Sequence, residues 1–226
     1  MTLRHAQGEA STPNAPLAAP QVKSVRLIAT MAAAGALAGF LIIVVFQATL
    51  PAILANRAAR LDAALSSVVP NLARYDTLYL VDGTLTATLP AGVDAHKTEK
   101  IYAAYDASGK RVGLAIPWSE PGFQDAVDML FGFDPAKPGT LGLVVLGSKE
   151  TPGLGDKILS ESFREQFKDA KTPLNGVKAG GSQKPEDVDM ITGATISSRS
   201  VIRGINKAVA KWSPLIAAYD AAGGAK

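Results

Sequence analysis

A short segment at residues 189–195 combines hydroxyl side chains with small residues where the chain enters a predicted helix. Its sequence, Asp-Met-Ile-Thr-Gly-Ala-Thr, places the hydroxyls of Thr192 and Thr195 on either side of Gly193 and Ala194. The first backbone N–H groups of a helix have no partner within the helix and carry partial positive charge. A phosphate is well placed there, and the small residues would let the backbone approach a bulky group. The segment is therefore a candidate site for a phosphate-bearing ligand.

The same residues have a simpler interpretation as a helix cap. Serine and threonine are preferred N-cap residues because their side-chain oxygens accept hydrogen bonds from the first N–H groups of a helix. Four hydroxyl residues could do so here, namely Thr192, Thr195, Ser197 and Ser198. On local physics alone, the cap is favoured over the ligand site.

A second candidate is the loop Glu-Thr-Pro-Gly-Leu-Gly at residues 150–155, which directly follows a predicted strand. Its proline and two glycines predict a tight loop with few side chains, which could lie against a flat ring or a phosphate. It is not a Walker loop, since no Gly-Lys-Ser/Thr follows, and Gly-x-Gly alone is weak evidence. A Pro-Gly turn leading into a helix explains it equally well.

The composition excludes several kinds of site. The 226 residues include no cysteine and only two histidines, His5 and His96. Disulfides, c-type haem attachment, iron–sulfur ligation and thiolate zinc sites are excluded, and two histidines are too few for an imidazole metal cluster. Asp125 and Asp128 lie three residues apart in a strand-like run and should point to different faces, which argues against a carboxylate pair. We expect no metal site and no catalytic residue, so that the chemistry comes from a cofactor or a partner.

The net charge of +3 does not indicate a nucleic-acid partner. Residues 1–26 contribute +2 of that charge, and the rest of the chain holds 20 basic and 19 acidic residues. A nearly neutral domain lacks the basic surface of a duplex-binding protein.

One membrane span is predicted near the N-terminus. Residues 27–56 contain no charged residue, and about 20 apolar residues are enough to cross a bilayer. A cleaved signal peptide is the alternative, but its apolar region should be about 7–15 residues, shorter than this one. Basic residues flank the span on both sides, with Lys23 and Arg26 before it and Arg57 and Arg60 after it. This distribution favours a cytoplasmic N-terminus only slightly.

The rest of the chain predicts an α+β fold. Three hairpins are indicated, at residues 77–81 with 84–89, 100–105 with 111–116, and 127–133 with 140–146. Helices are predicted at 157–167 and 196–212, the second with Val201, Ile205, Ala208 and Trp212 facing the core. Hairpins followed by helices favour α+β over a doubly wound parallel sheet. We expect five regions: a disordered tail (1–22), a transmembrane helix (23–50), a helical connector (51–75), a ligand-binding domain (76–213) and a C-terminal tail (214–226).

Two further features are interpreted as structural. Trp118 lies among Pro117, Pro121 and Gly122, which is typical of a loop anchor, with stacking on a ligand ring as the alternative. The last predicted helix carries basic residues at four-residue intervals and so predicts a solvated face, or at most a docking surface: Arg199, Arg203, Lys207 and Lys211.

Taken together, the two motifs and the span resemble a known family. The chain is similar to the G subunit of the Rnf electron-transport complex, a relative of the C subunit of the sodium-translocating NADH:quinone reductase. The resemblance covers the chain from the span to Trp212. It includes the Glu-Thr-Pro-Gly-Leu-Gly loop at 150–155 and the Asp-x-x-Ser/Thr-Gly-Ala-Thr signature at 189–195. The order and spacing of these motifs make the match specific.

The resemblance implies covalently bound FMN, esterified through its phosphate to Thr195 by a separate flavin transferase. The expected flavin site consists of two groups of residues: Asp189, Thr192, Gly193, Ala194 and Thr195 from the signature, and Glu150, Thr151, Gly153, Leu154 and Gly155 from the loop. Family members often have a histidine two residues before the glutamate, where this chain has Ser148, and that difference bears on the local flavin contacts.

The implied function is electron relay within a membrane complex that couples electron transfer between ferredoxin and NAD to ion movement. The chain would be a subunit without autonomous activity, anchored in the cytoplasmic membrane, with its flavin domain on the periplasmic face. Its partners would be the other membrane and redox subunits. The alternatives are the equivalent subunit of the quinone reductase, a membrane-anchored flavin sensor, and a structural anchor in which Thr195 only caps the helix.

Overall fold

The computed structural model describes residues 24–95 and 97–224, without the side chains of residues 54–59. The tail predicted at residues 1–22 lies outside the described residues. The chain divides into two compact units, Met1–Ala55 and Asn56–Lys226. Each unit is considered by itself below.

The N-terminal unit contains the predicted apolar helix. Helix α1 covers Ser24–Val68, and its part Ser24–Ile53, 30 residues long, contains an 18-residue stretch with a mean hydropathy of 2.4. At 1.5 Å per residue this part is about 45 Å long, which exceeds the hydrocarbon thickness of about 30 Å. Large apolar side chains such as Ile28, Phe40 and Ile42 are exposed along it. By length and composition it is able to cross a membrane once, and it continues without a break through Pro51, where the sequence suggested a boundary.

The second unit is built on one antiparallel sheet. Its six strands lie in the order β2-β1-β3-β4-β5-β6, with the following bounds: β1 Arg74–Val81, β2 Thr84–Thr86, β3 Lys100–Tyr105, β4 Arg111–Pro121, β5 Ala126–Asp134 and β6 Gly139–Gly147. The three predicted hairpins are confirmed. Asp82 and Gly83 both have positive φ, at 47° and 78°, as a two-residue hairpin turn with matching twist requires.

The long amphipathic helix covers one face of this sheet. Helix α3, Thr195–Tyr219, buries the predicted stripe of Val201, Ile205, Ala208 and Trp212 in the main core. It runs past residue 212 because Ile216 is also buried, and Asp220 just beyond it pairs with Arg111 at 2.5 Å. The fold is α+β, as predicted.

Residues 157–167 do not form the single helix that was predicted. They form a 3₁₀ turn at Gly155–Leu159, a four-residue helix α2 at Glu161–Arg164, and a second 3₁₀ turn at Glu165–Phe167. The break falls at Ser160, whose backbone is extended and whose side-chain oxygen accepts a hydrogen bond from the Phe163 N–H. The serine therefore starts a new helical turn, since an N-cap residue has non-helical backbone angles. A short parallel pair, β7 Asn175–Val177 and β8 Asp187–Asp189, then leads towards α3.

The second strand of the middle hairpin is longer than predicted. Strand β4 continues to Pro121, and Trp118 pairs with Met129 of β5. Trp118 is therefore a strand residue and not a loop anchor.

The C-terminal end of α1 packs on the other face of the sheet, opposite α3. Leu65, Val68 and Val69 are fully buried there in a second apolar cluster. Two strand glycines make this close approach possible. A methyl group on Gly142 would lie 3.2 Å from the Val68 Cα, and one on Gly132 would overlap the Val68 carbonyl oxygen. The contact with backbone atoms leaves no flexible group that could move aside.

We predict that Gly132→Ala lowers the free energy of unfolding of the full-length protein by about 1–3 kcal/mol, because an added methyl group overfills this contact. Gly147→Ala in β6 is the matched control, since its methyl group would meet only the Asp128 side chain, at 3.3 Å. Chemical denaturation in detergent micelles measures both. Equal stability of the two variants would contradict the close contact.

Candidate functional site

The two sequence motifs lie side by side in the structure. The loop at 150–155 and the start of α3 line one cleft of about 460 Å³, which opens to solvent. Nine residues line it: Phe123, Thr151, Leu154, Gly155, Gly193, Ala194, Thr195, Ile196 and Ser197. Six of the ten residues predicted for the site are among them. Phe123, Ile196 and Ser197 were not predicted as site residues. Nothing in the local sequence links the turn at Phe123 to the other two segments, whereas Ile196 and Ser197 directly follow the signature.

The remaining four predicted residues lie around the cleft but do not line it. Glu150 is buried behind the loop, and Gly153 holds the loop's turn with a φ of 75°. Asp189 and Thr192 line a neighbouring cleft, together with Lys157 and Ser182. The structure therefore separates Thr195, inside the first cleft, from Thr192 outside it.

The start of α3 offers unpaired donors and an unpaired hydroxyl to the cleft. Ala194 is the N-cap residue and has no capping side chain, and the first backbone hydrogen bond runs from the Ser198 N–H to the Ala194 carbonyl at 3.0 Å. Within the described residues, the N–H groups of Thr195, Ile196 and Ser197 have no hydrogen-bond acceptor, and the Thr195 hydroxyl has no partner either. The interpretation of Thr195 as an ordinary N-cap is therefore wrong.

The other hydroxyls at this end are already engaged. The Ser198 hydroxyl accepts a hydrogen bond from the Ile191 N–H and donates to the Ala194 carbonyl, both at 3.0 Å, so that it fixes the turn before the helix. The Ser197 hydroxyl donates to the Glu150 carboxylate. Of these three hydroxyls, only that of Thr195 has no hydrogen-bond partner among the described residues.

Glu150 joins the three segments that form the cleft. Its Oε1 accepts hydrogen bonds from the N–H groups of Phe123 and Gln124, at 2.8 and 3.2 Å, and its Oε2 accepts from Ser197. Two glycines leave room for this buried carboxylate. A methyl group on Gly155 would lie 3.0 Å from Glu150 Oε2, and one on Gly122 would overlap Oε1. Glu150 is thus a positioning residue of the cleft and not part of its wall.

Asp189 fixes the segment that leads into the signature. Its Oδ1 accepts hydrogen bonds from the N–H groups of Gly181 and Ser182, each at 3.0 Å. The Gln166 side chain bonds both the N–H and the carbonyl of Asp189, at 2.7 and 3.3 Å. These contacts connect β8 to the turn at 180–182 and to the 3₁₀ turn Glu165–Phe167. They therefore fix the segment from which α3 begins.

Glu120 holds α3 against the sheet. This strand β4 carboxylate is only 3% exposed, and its Oε1 accepts from Arg203 at 2.5 Å and from Lys207 at 2.7 Å. Trp118 donates to its Oε2 at 3.3 Å. Burial raises the pKa of Glu120, but the hydrogen bonds from Lys207, Arg203 and Trp118 together lower the pKa below its ordinary value of 4.5.

The sequence suggested that the basic face of α3 is solvated, or at most a docking surface. The structure shows that three of its four basic residues also form ion pairs within the protein. Arg203 and Lys207 form ion pairs with Glu120, and Lys211 pairs with Glu99 at 2.5 Å. Trp118 does not line the cleft and belongs to this network. Among the described residues, no group of three or more His, Asp or Glu side chains could hold a metal ion.

We predict that Glu150→Ala lowers the free energy of unfolding by about 1–3 kcal/mol, because it leaves two partly buried N–H groups and the buried Ser197 hydroxyl without an acceptor. Lys149→Ala, which removes an exposed ion pair with Asp125, should change it by less than about 1 kcal/mol. Thermal unfolding of the full-length protein distinguishes the two. An equal, small effect of both variants would show that the cleft does not depend on Glu150.

We also predict a pH-dependent effect for Glu120→Gln. A pKa lowered in the folded state stabilises the protein above the unfolded-state value of 4.5, and that stabilisation is lost as the pH falls through the folded-state pKa. The variant should be less stable than the wild type by about 1–3 kcal/mol at pH 7, and the difference should shrink below pH 4.5. Asp76→Asn, at an exposed ion pair with Arg74, is the control. A difference that does not change with pH would contradict the role of the charge.

Known proteins resemble this chain in sequence and in fold. A family model described as an FMN-binding domain matches residues 122–210, which include both motifs, the turn at Phe123 and most of α3. The fold resembles the crystal structure of NqrC from Shewanella oneidensis, with a TM-score of 0.52 at 18% identity over 64% of this chain and 84% of that one.

Curated relatives cover more of the chain. The G subunit of the ion-translocating oxidoreductase complex of Methanosarcina acetivorans is 28% identical over 81% of this chain and 92% of its own length. The G subunit of Shewanella oneidensis is 30% identical over 84% of this chain and 88% of its own length. The G subunit of Pseudomonas aeruginosa is 31% identical over 75% of this chain and 80% of its own length. With an FMN-binding domain and this extent of similarity, the chain belongs to the G-subunit family of Rnf-type ion-translocating oxidoreductase complexes.

Proposed function

We propose that this protein is a membrane-anchored electron-relay subunit whose FMN is esterified through its phosphate to Thr195. The observation that carries the proposal is the combination, in one cleft, of an unpartnered Thr195 hydroxyl with three unpaired N–H groups at residues 195–197. A helix start with free donors is suited to a phosphate. The site lies within the FMN-binding domain that residues 122–210 match.

The residues of the cleft suit the other parts of FMN as well. Gly193 has a φ of 83°, and a methyl group at that position would lie 3.5 Å from the Leu154 side chain. The backbone there can accordingly approach a bulky ligand. Phe123, Leu154 and Ile196 are large apolar residues that are 62%, 47% and 51% exposed at the cleft. They offer apolar surface to a flat ring, and the bound flavin supplies the electron-transfer chemistry that these side chains lack.

The ester requires an activated flavin donor and a separate enzyme. The Thr195 oxygen forms a bond to phosphorus and loses its proton, while a pyrophosphate P–O bond of a flavin dinucleotide breaks and releases a nucleoside monophosphate. The carboxylate buried behind the loop, Glu150, is occupied by Ser197 and two backbone N–H groups. Since it is not available as a base for Thr195, a flavin transferase is the proposed partner for this step.

The proposed relay operates between other redox centres of a membrane complex. Two relatives, in Clostridium ljungdahlii and Acetobacterium woodii, are named as the G subunits of proton-translocating and Na⁺-translocating ferredoxin:NAD⁺ oxidoreductase complexes. These names support coupling between ferredoxin/NAD electron transfer and ion movement, and the other subunits of the complex as partners. The two relatives use different ions, so the coupling ion is not part of the proposal.

The proposed location is the cytoplasmic membrane, with the N-terminus in the cytoplasm and the flavin domain in the periplasm. The single apolar helix at Ser24–Ile53 supports an anchor. The basic residues that precede it support the orientation, since positive charge favours the cytoplasmic side. A covalent link has a physical benefit in that location, because a flavin that dissociates on the periplasmic side could not be readily replaced.

We predict that the wild-type protein, produced together with a flavin transferase, carries ultraviolet-fluorescent flavin through a denaturing gel. Thr195→Val should abolish the fluorescence, because the ester oxygen is removed. Thr192→Val is the matched control, and it should retain the label because Thr192 lies outside the cleft. A wild-type band with neither fluorescence nor an increase in mass of the size of FMN would contradict the proposed function.

A further inference from the structure

One basic residue of α3 has no hydrogen-bond or ion-pair partner among the described residues. Arg203 and Lys207 bond Glu120, and Lys211 bonds Glu99. Arg199 is exposed, and the described residues provide it with neither an ion pair nor a hydrogen bond. Three members of the series at four-residue intervals thus have a structural role, and the one closest to the cleft has none.

Arg199 lies one helical turn after Thr195. Residues four apart on a helix have Cβ atoms about 5–6 Å apart. Helical side chains also tilt towards the N-terminus, so that they cover the preceding turn. The Arg199 side chain is therefore placed to extend back towards the Thr195 hydroxyl and the unpaired N–H groups of residues 195–197.

The charge of the proposed ester matches such a residue. A phosphate esterified on two sides keeps one negative charge and two non-bridging oxygens, and a guanidinium has parallel N–H donors with the spacing to bind them. The helix start supplies only partial positive charge. The carboxylate behind the cleft, Glu150, is buried and already bonded, and none of the described carboxylates forms an ion pair with Arg199.

We propose that Arg199 binds the phosphate that links FMN to Thr195, and that it thereby positions the flavin donor for attachment and the bound flavin afterwards. This inference rests on the proposed phosphoester at Thr195. It assigns to Arg199 a role in ligand binding and none in folding.

Attachment kinetics form the first part of the test. Full-length wild type, Arg199→Gln, Arg199→Lys and the control Lys110→Gln are incubated with a flavin transferase and FAD, and the appearance of the fluorescent band is followed. Lys110 is an exposed cation in the β3–β4 turn and gives the same change in charge. We expect about a tenfold slower initial rate for Arg199→Gln, an intermediate rate for Arg199→Lys and the wild-type rate for Lys110→Gln.

The ³¹P NMR spectrum of the flavin-loaded protein forms the second part. The shift difference between folded and unfolded protein should be smaller in Arg199→Gln than in the wild type and in Lys110→Gln. The transferase is absent from this sample, so a contact between Arg199 and the transferase cannot account for a change. The melting temperature of the flavin-free protein should be the same for all four proteins, because none of the described residues bonds Arg199.

The outcomes separate the two proposals. A wild-type protein that takes up no flavin overturns the phosphoester itself. Labelled wild type together with an Arg199→Gln variant of unchanged rate or unchanged ³¹P shift overturns the role of Arg199 alone. An equal loss of attachment rate in Arg199→Lys and Arg199→Gln overturns it as well, because lysine keeps the positive charge that the contact needs. A lower melting temperature of flavin-free Arg199→Gln than of Lys110→Gln also overturns it, because Arg199 would then act on folding.

Discussion

The cleft depends on one buried carboxylate. Glu150 accepts hydrogen bonds from the turn at Phe123 and Gln124 and from Ser197 in the first turn of α3, while it belongs to the loop that forms the opposite wall. A buried polar group without a partner destabilises the folded state by more than a paired one stabilises it. The buried carboxylate is therefore stable only when all three segments are in place. Gly122 and Gly155 leave the space for it. Through Ser197, Glu150 thus ties the first turn of α3, which carries Thr195, to the loop.

The sheet carries this arrangement between two helical layers. Glu120 on β4 binds Arg203 and Lys207, which holds the body of α3 over the sheet, while the end of α1 packs against Gly132 and Gly142 on the other face. The start of α3 is thus set by Glu150 and Asp189, and its direction by Glu120. A rigid support of this kind suits a site that must hold a ligand in a fixed position for electron transfer.

The shape of the cleft gives a physical reason for a covalent link. Sites that retain small ligands without a bond usually bury most of the ligand surface. This cleft of about 460 Å³ opens to solvent and has exposed apolar residues at its edge. A flavin there would keep part of its ring accessible, which favours electron exchange with a neighbouring subunit but weakens retention. In our proposal, the ester at Thr195 resolves that conflict.

The amino-acid sequence by itself was sufficient for the apolar helix, the three hairpins, the buried stripe of α3 and the two motifs, because periodicity and turn residues act over short distances. It did not predict Phe123 or the pairing of Arg203 and Lys207 with Glu120, and it suggested a continuous helix at 157–167. It also favoured a helix cap by one of the four hydroxyl residues Thr192, Thr195, Ser197 and Ser198. Only the tertiary structure decided the position of Phe123 and the pairing with Glu120, since hydrogen-bond partners more than 25 residues apart leave no local pattern. The break at 157–167 follows instead from the local bond between Ser160 and the Phe163 N–H. Whether the Thr195 hydroxyl caps the helix or stays without a hydrogen bond depends on which backbone N–H groups lie near it. The packing of Glu150, Ser197 and Ser198 around the helix start determines this.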